Sequence, residues 1–227
     1  SRASSLGMEA VLVYGDADRL DGVSAVLGRR GSQDVQFVSS YRSAGWSLEE
    51  RERLDGGLVL DMDDLSTQAV LYAHGRLVHA WSLPVGSRDL LLAAADDRGV
   101  APAELEACLA ERGELLKMAG YGAEQVLPVL GRYGARMVRL GALDEAAEAP
   151  VRRLLEGVRE KLALDAVGVK PRVVAVVSDG AFAMRALQRL APSVFGCDCH
   201  WRGLDNVHGL PRAAWKARGR LDRKSVV

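Results

Sequence analysis

Two rhythms of apolar positions run along the chain, one with the two-residue period of a strand and one with the helical period near 3.6. Met8 to Gly15 is an apolar run bounded by Gly7 and Gly15, and Asp16 to Arg30 then carries Leu20, Val23, Val26 and Leu27 at helical spacing. That pattern predicts a strand followed by a helix. Val35 to Val38 predicts a second short strand, and the polar segment Gly45 to Asp55 reads as helix or loop. Three closely spaced strands are predicted over Gly57 to Asp61, Gln68 to Ala73 and Arg76 to Ser82, the last two joined by the turn signal His74-Gly75, which makes an antiparallel meander. Helices are predicted over Asp89 to Ala95 and over Pro102 to Met118, the second opened by a proline whose missing N–H costs nothing there. Ala146 to Leu164 places Val151, Leu154, Leu155, Val158 and Leu162 on one helical face. Arg172 to Val177 is a continuous Val/Ala run closed by Ser178-Asp179-Gly180 and followed by a helix from Phe182 to Leu190, the pattern of a parallel sheet covered by helices. A short strand near Val194 to Cys199 and a helix from Leu210 to Arg218 complete the pattern.

Composition narrows the class. A chain of 227 residues with 48% hydrophobic content buries a core without covalent staples. Thirty basic residues balance thirty acidic ones, so there is no electrostatic footprint for nucleic acid or an anionic membrane surface. Three cysteines are too few for a disulfide framework and fit a reducing, cytoplasmic setting. No stretch reaches the roughly 18 uninterrupted apolar residues of a membrane span, so any membrane association is expected to be indirect. Arg218 to Val227 is a basic tail that continues no apolar pattern.

The segment richest in chemistry is Leu58-Val59-Leu60-Asp61-Met62-Asp63-Asp64-Leu65-Ser66-Thr67, a buried strand that ends in acidic and hydroxyl residues and turns straight into another strand. It resembles the second phosphate hairpin of the actin-like ATPases, in which strand-Asp-x-Gly-x-x-Thr-Thr binds nucleotide phosphates and sets the Asp near the metal. Downstream, Gly75-Arg76-Leu77-Val78, Leu83-Pro84-Val85-Gly86 and Glu114-Leu115-Leu116-Lys117 follow in the order seen in the FtsA and PilM branch, the cell-division and type IV pilus assembly members of that superfamily. The likeness runs from about Met8 to Gly209 and is carried by the order of short matches. It implies an α/β fold of the actin-like, Hsp70 and sugar-kinase (ribonuclease H-like) type, a mixed sheet with an antiparallel meander and flanking helices. Residues 8–46 correspond to a remnant of the first lobe, 56–203 to the second lobe, 204–217 to a returning C-terminal helix and 218–227 to a tail. The first phosphate hairpin and most of the inserted small subdomain have no counterpart in this sequence.

The resemblance implies ATP with Mg²⁺ between lobes: Asp61 near the metal, Ser66 and Thr67 toward the γ-phosphate, Ser178-Asp179-Gly180 at the adenosine-side loop, and Glu114 and Lys117 toward ribose and base. The residue chemistry departs from it. A phosphate loop uses glycine so that backbone N–H groups approach phosphate oxygens closely. Asp63, Asp64 and Leu65 stand in those places, and Asp179 replaces one glycine of the adenosine loop. A carboxylate 4 Å from phosphate costs about 1 to 4 kcal/mol for dielectrics between bulk water and a protein surface unless a cation intervenes. Two readings of the acidic residues stand. Asp61, Asp63 and Asp64 gather Mg²⁺, which takes oxygen ligands, or Asp63-Asp64 is a solvated turn after a core strand. Likewise Glu114 and Lys117 are either nucleotide contacts or an i,i+3 surface pair, and Ser66 and Thr67 are either ligands or turn formers. Gly86 reads as a turn into a helix.

Cys197-x-Cys199-His200 has the look of a zinc motif, but alternate strand residues share a side and such a run closes no tetrahedron without a distant fourth ligand. His74 and His79 read as turn or surface residues, and no Gly-x-Ser-x-Gly or Ser-His-Asp order appears. Three functions are weighed: a non-catalytic or weakly nucleotide-binding scaffold of a pilus (PilM-like) or division (FtsA-like) machinery, an active ATPase or sugar-kinase-like enzyme of the same superfamily, and an unrelated α/β regulatory domain. For the first, the resemblance implies a cytoplasmic protein docking the tail of an inner-membrane assembly protein, with self-association as a further interaction. The actin-like assignment is excluded if the 58–82 meander and the 173–177 strand do not share one sheet.

Overall fold

The computed structural model describes residues 17–28, 40–111, 124–131, 134–164, 168–177 and 184–202. In chain order these form α1 (Ala17–Gly28), α2 (Ser40–Ala44), a 3₁₀ turn (Gly45–Ser47), α3 (Glu50–Asp55), β1 (Gly57–Met62), β2 (Thr67–Ala73) and β3 (Arg76–Leu83). Then come α4 (Ser87–Arg98), α5 (Pro102–Glu111), β4 (Val126–Gly131), β5 (Gly134–Arg139), α6 (Leu140–Ala146) and α7 (Glu148–Leu164). β6 (Val173–Val177), α8 (Met184–Phe195) and β7 (Asp198–Trp201) complete the described elements. The strands expected over 8–15 and 35–38, the last turns of the helix expected to reach Met118, and the helix expected over 210–218 lie outside the described residues.

Five strands make one sheet in the order β3-β2-β1-β6-β7, antiparallel through the meander and parallel across β1, β6 and β7. The meander and the Val173–Val177 strand therefore share a sheet, as the actin-like assignment requires. β1 is central, and all six of its residues are buried, as a strand covered by helices on both faces requires. Alternation divides its side chains. Leu58, Leu60 and Met62 join Leu71, Val174 and Val176 against Leu90, Leu143, Leu154, Leu155, Val158 and Leu187 from the helices of one layer. Val59, Val70, Tyr72, Val173, Ala175 and Val177 pack on the other face against Ala44 and Leu48. There the Tyr72 hydroxyl donates to the Tyr41 carbonyl at 2.7 Å, and burial pushes the Tyr72 phenol up from its ordinary value. Arg202, just beyond β7, ties the sheet to α3 by a half-buried ion pair with Glu52 at 2.8 Å.

The His74-Gly75 turn forms as the sequence indicates. Both residues take positive φ, 53° and 74°, as a tight hairpin turn demands, and their N–H groups donate to the carbonyls of Leu54 and Arg53 at the end of α3. One boundary moves: Val194 and Phe195 belong to the last turn of α8, packed on the core, and the strand begins at Asp198. Gly196, at φ 72° with its N–H on the Pro192 carbonyl, ends the helix. The β4–β5 hairpin was not predicted from the sequence, because Pro128 and the exposed Leu130 and Met137 blur the alternation that Leu127, Val129 and Val138 would otherwise show.

Leu60, fully buried at the centre of β1, anchors the larger core. Leu60→Ala is expected to lower unfolding free energy by about 2–5 kcal/mol, read from a urea titration.

Candidate functional site

β1 and β6 run parallel and finish level with each other, Asp61 in register with Val177. In open α/β sheets this carboxyl edge is where ligands bind. Beyond Met62 the chain reverses over Asp63-Asp64-Leu65-Ser66, closed by the Asp63 N–H donating to the Ser66 carbonyl at 2.9 Å, and β2 starts at Thr67 opposite Met62.

This turn packs onto the junction between β3 and α4. The first helical amides have no partner within the helix, and here Ser87 N–H donates to the Asp63 carbonyl and Arg88 N–H to the Asp64 carbonyl, each at 2.9 Å. The Ser87 hydroxyl donates to Asp64 Oδ1 at 3.2 Å, and the Gly86 N–H to the Asp89 carboxylate at 2.8 Å. Thr67 Oγ1 donates to the Val85 carbonyl at 2.6 Å. Acidic residues at a helix N-terminus are also favoured by its dipole. The approach is close enough to exclude a side chain at residue 86. A Cβ on Gly86 would stand 2.3 Å from the Asp64 carbonyl oxygen and 2.6 Å from that of Asp63. The glycine is thus required by proximity to a neighbouring backbone.

The candidate residues separate as follows. Asp61 is buried on the sheet face of Val59 and Val177, and Thr67 is buried at the base of the turn. Asp63 and Asp64 are exposed, and Ser66 is half-buried. Glu114, Lys117, Ser178, Asp179 and Gly180 lie outside the described residues. Asp61 sits in the strand while Asp63 and Asp64 sit in the exposed turn, and among the described residues no group of three or more His, Cys, Asp or Glu side chains could hold a metal ion. Chemically, the turn presents carbonyl oxygens to α4 and carries two exposed carboxylates, one of which accepts from the Ser87 hydroxyl, and its Asp63 amide is spent on its own closure. Ser87 and Asp89 were not singled out from the sequence. The signal was there in Gly86-Ser87-Arg88-Asp89, an acidic residue three places after a helix-opening glycine.

The Cys-x-Cys-His segment lies at the start of β7. Cys199 is buried in the larger core, and burial, with Cys197 adding to it, pushes its thiol up to about 12; burial and then Asp198 raise Cys197. His79 packs its ring on Trp81, centroids 4.6 Å apart.

Two measurements probe this geometry. Gly86→Ala is expected to cost about 1–3 kcal/mol through overpacking, and Thr67→Val about 1 kcal/mol through loss of a hydrogen bond, both read by chemical denaturation. Because the Cys199 thiol ionises near 9.0 when unfolded and near 12 when folded, its contribution to stability is intact below pH 9 and declines as pH rises toward 12. Removing the thiol in Cys199→Ala should flatten that alkaline decline, visible in melting curves taken across pH 8–11.

No protein-family model matches the sequence, and no curated protein matches it. Solved structures do. The PilM–PilN type IV pilus biogenesis complex aligns with a TM-score of 0.51 at 20% identity, over 81% of this chain and 48% of that one. MreB5 of Spiroplasma citri aligns at 14% identity over 93% of this chain and 67% of that one, with a TM-score of 0.59 when bound to AMPPNP and 0.58 when bound to ADP. The chain thus spans about half the length of the PilM structure it matches. The likeness is one of fold, and the chain has the actin-like fold.

Proposed function

We propose that the chain is a non-catalytic or weakly nucleotide-binding actin-like scaffold of a type IV pilus assembly of the PilM kind, or of a division assembly of the FtsA kind. In this reading it docks the cytoplasmic tail of an inner-membrane protein and lies at the membrane through that partner. The observation that carries it is the state of the Asp63–Ser66 turn. Its carbonyls cap α4, the Asp63 amide closes the turn, the Thr67 hydroxyl is given to Val85, and two exposed carboxylates stand on the turn that the sequence resemblance equates with a phosphate hairpin. Phosphate binding by backbone needs N–H groups turned outward and little negative charge. The likeness to PilM in its complex with PilN supports the pilus setting over the division one. Among the described residues no helix is long and apolar enough to cross a membrane, which accords with attachment through a partner.

The second reading, an ATPase or sugar-kinase-like enzyme, is favoured by two observations. Asp61 is buried at the carboxyl edge of the parallel strands, and the MreB5 structures of similar fold hold AMPPNP and ADP. In that case Asp61 would face the Mg²⁺ and the exposed carboxylates would have to be screened by it.

Titration of a fluorescent ATP analogue with Mg²⁺, followed by anisotropy, separates the two. The scaffold reading expects no saturation in the micromolar range, and Asp63→Gly with Asp64→Gly should tighten binding by about tenfold or more, since each carboxylate removed is worth about 1 kcal/mol or more. Micromolar, Mg²⁺-dependent binding by the unaltered chain with turnover of ATP would replace the scaffold by the enzyme.

A further inference from the structure

The β4–β5 hairpin has a face and an edge that the proposed scaffold reading does not use. Ladder partners share a face, so Val126 with Arg139, Pro128 with Met137, and Leu130 with Ala135 line one side, while Leu127 and Val138 point into the core. That outer side is apolar and open: Val126 is 41% exposed, Leu130 75% and Met137 68%. The two strands carry two arginines and no carboxylate. Arg136 lies on the inner side and donates to the Arg98 carbonyl at 3.1 Å, which leaves Arg139 as the charge at one end of the apolar face. Its contact with Glu124 at 3.3 Å joins two exposed side chains and is readily exchanged for another carboxylate.

The two edges of this small sheet differ. Cys108 of α5 donates its thiol to the Pro128 carbonyl at 3.7 Å, so that carbonyl points away from β5 and the outer edge of β4 lies toward α5. Pro128 also has no N–H to offer on that side. Because the Pro128 carbonyl points outward, Pro128 and Met137 are a ladder pair that exchanges no hydrogen bonds. The N–H and C=O of Met137, and with them those of Ala135 and Arg139, therefore point out of the β5 edge. Among the described residues no strand pairs with that edge.

We propose that the β5 edge and the apolar face beside it accept an extended segment of another protein as a third strand, with apolar side chains at alternate positions and a carboxylate that meets Arg139. The size of the surface favours a peptide over a second copy of this chain. Two strands of six residues make a face of about 200 Å² at ordinary strand spacing, well short of the ~800 Å² per partner of a stable protein interface. Strand addition gains main-chain hydrogen bonds that a flat apolar contact lacks, so a short segment is held by this area. The inference is independent of whether nucleotide binds at the carboxyl edge of the five-stranded sheet.

The probe is a displayed library of random decapeptides, selected on the full chain with the Met137→Glu chain as soluble competitor; Leu130→Lys serves as a second competitor, and only variants with native circular dichroism are used. Enriched peptides should alternate apolar residues and carry an acidic one near an end. One of them, synthesised and added to ¹⁵N-labelled full chain, should shift amide signals within 126–131 and 134–139, and Arg139→Glu should weaken its binding about tenfold without moving the melting temperature. The proposal is overturned if no peptide survives competition, if the survivors shift signals elsewhere, or if sedimentation shows self-association that Met137→Glu abolishes, which would make a second copy the occupant.

Discussion

Two backbone carbonyls at the end of the first hairpin hold the start of α4, and much of the architecture follows from that contact. By accepting from Ser87 and Arg88, Asp63 and Asp64 fix the helix that covers the larger core to the turn that closes β1 and β2. Gly86 lets the two backbones meet, Asp89 occupies the remaining amide, and Thr67 locks the preceding residue. The Asp63 amide, which closes the turn on the Ser66 carbonyl, is held within the hairpin. The turn's two carbonyls and its first amide are all satisfied within the protein. The carboxylates then become favourable neighbours of a helix N-terminus, where in a phosphate site they would repel.

Most of the sheet could be read from the chain because its signals are local. The Val/Ala run of β6, the Leu/Val stretch of β1 and the His74-Gly75 turn each declare themselves within a few residues, and the helical stripe from Val151 to Leu162 does the same for α7. Pairing of β1 with β6 is not local, yet a strand buried on both faces needs neighbours on both edges, and the Val/Ala run of β6 suits such a place. The β4–β5 hairpin escaped because its outward positions are apolar too, so alternation vanished there. The end of α8 escaped because Val194 and Phe195 suit a strand by composition, and only Gly196 marks the stop.

The candidate site was legible in type and less so in wiring. Asp61, Thr67 and the acidic turn stand together at one end of the sheet as the sequence indicates, but which groups donate to which depends on the approach of α4, a contact between segments about twenty residues apart. Nothing in the spelling of Asp63-Asp64-Leu65-Ser66 says that its carbonyls face inward. The requirement for glycine at residue 86 is a mark of that approach which becomes intelligible only once both backbones are in place.

The position of β1 in the sheet bears on how the chain is made. One of its edges is satisfied at once by β2, its neighbour in sequence, while the other waits for β6, which emerges only after a second hairpin and, among the described residues, four more helices. Until then a strand rich in Leu and Val has an open flank, the condition under which nascent chains pair with the wrong partner or with each other. A ribosome that stalled before Val173 would release a meander with its most adhesive margin bare.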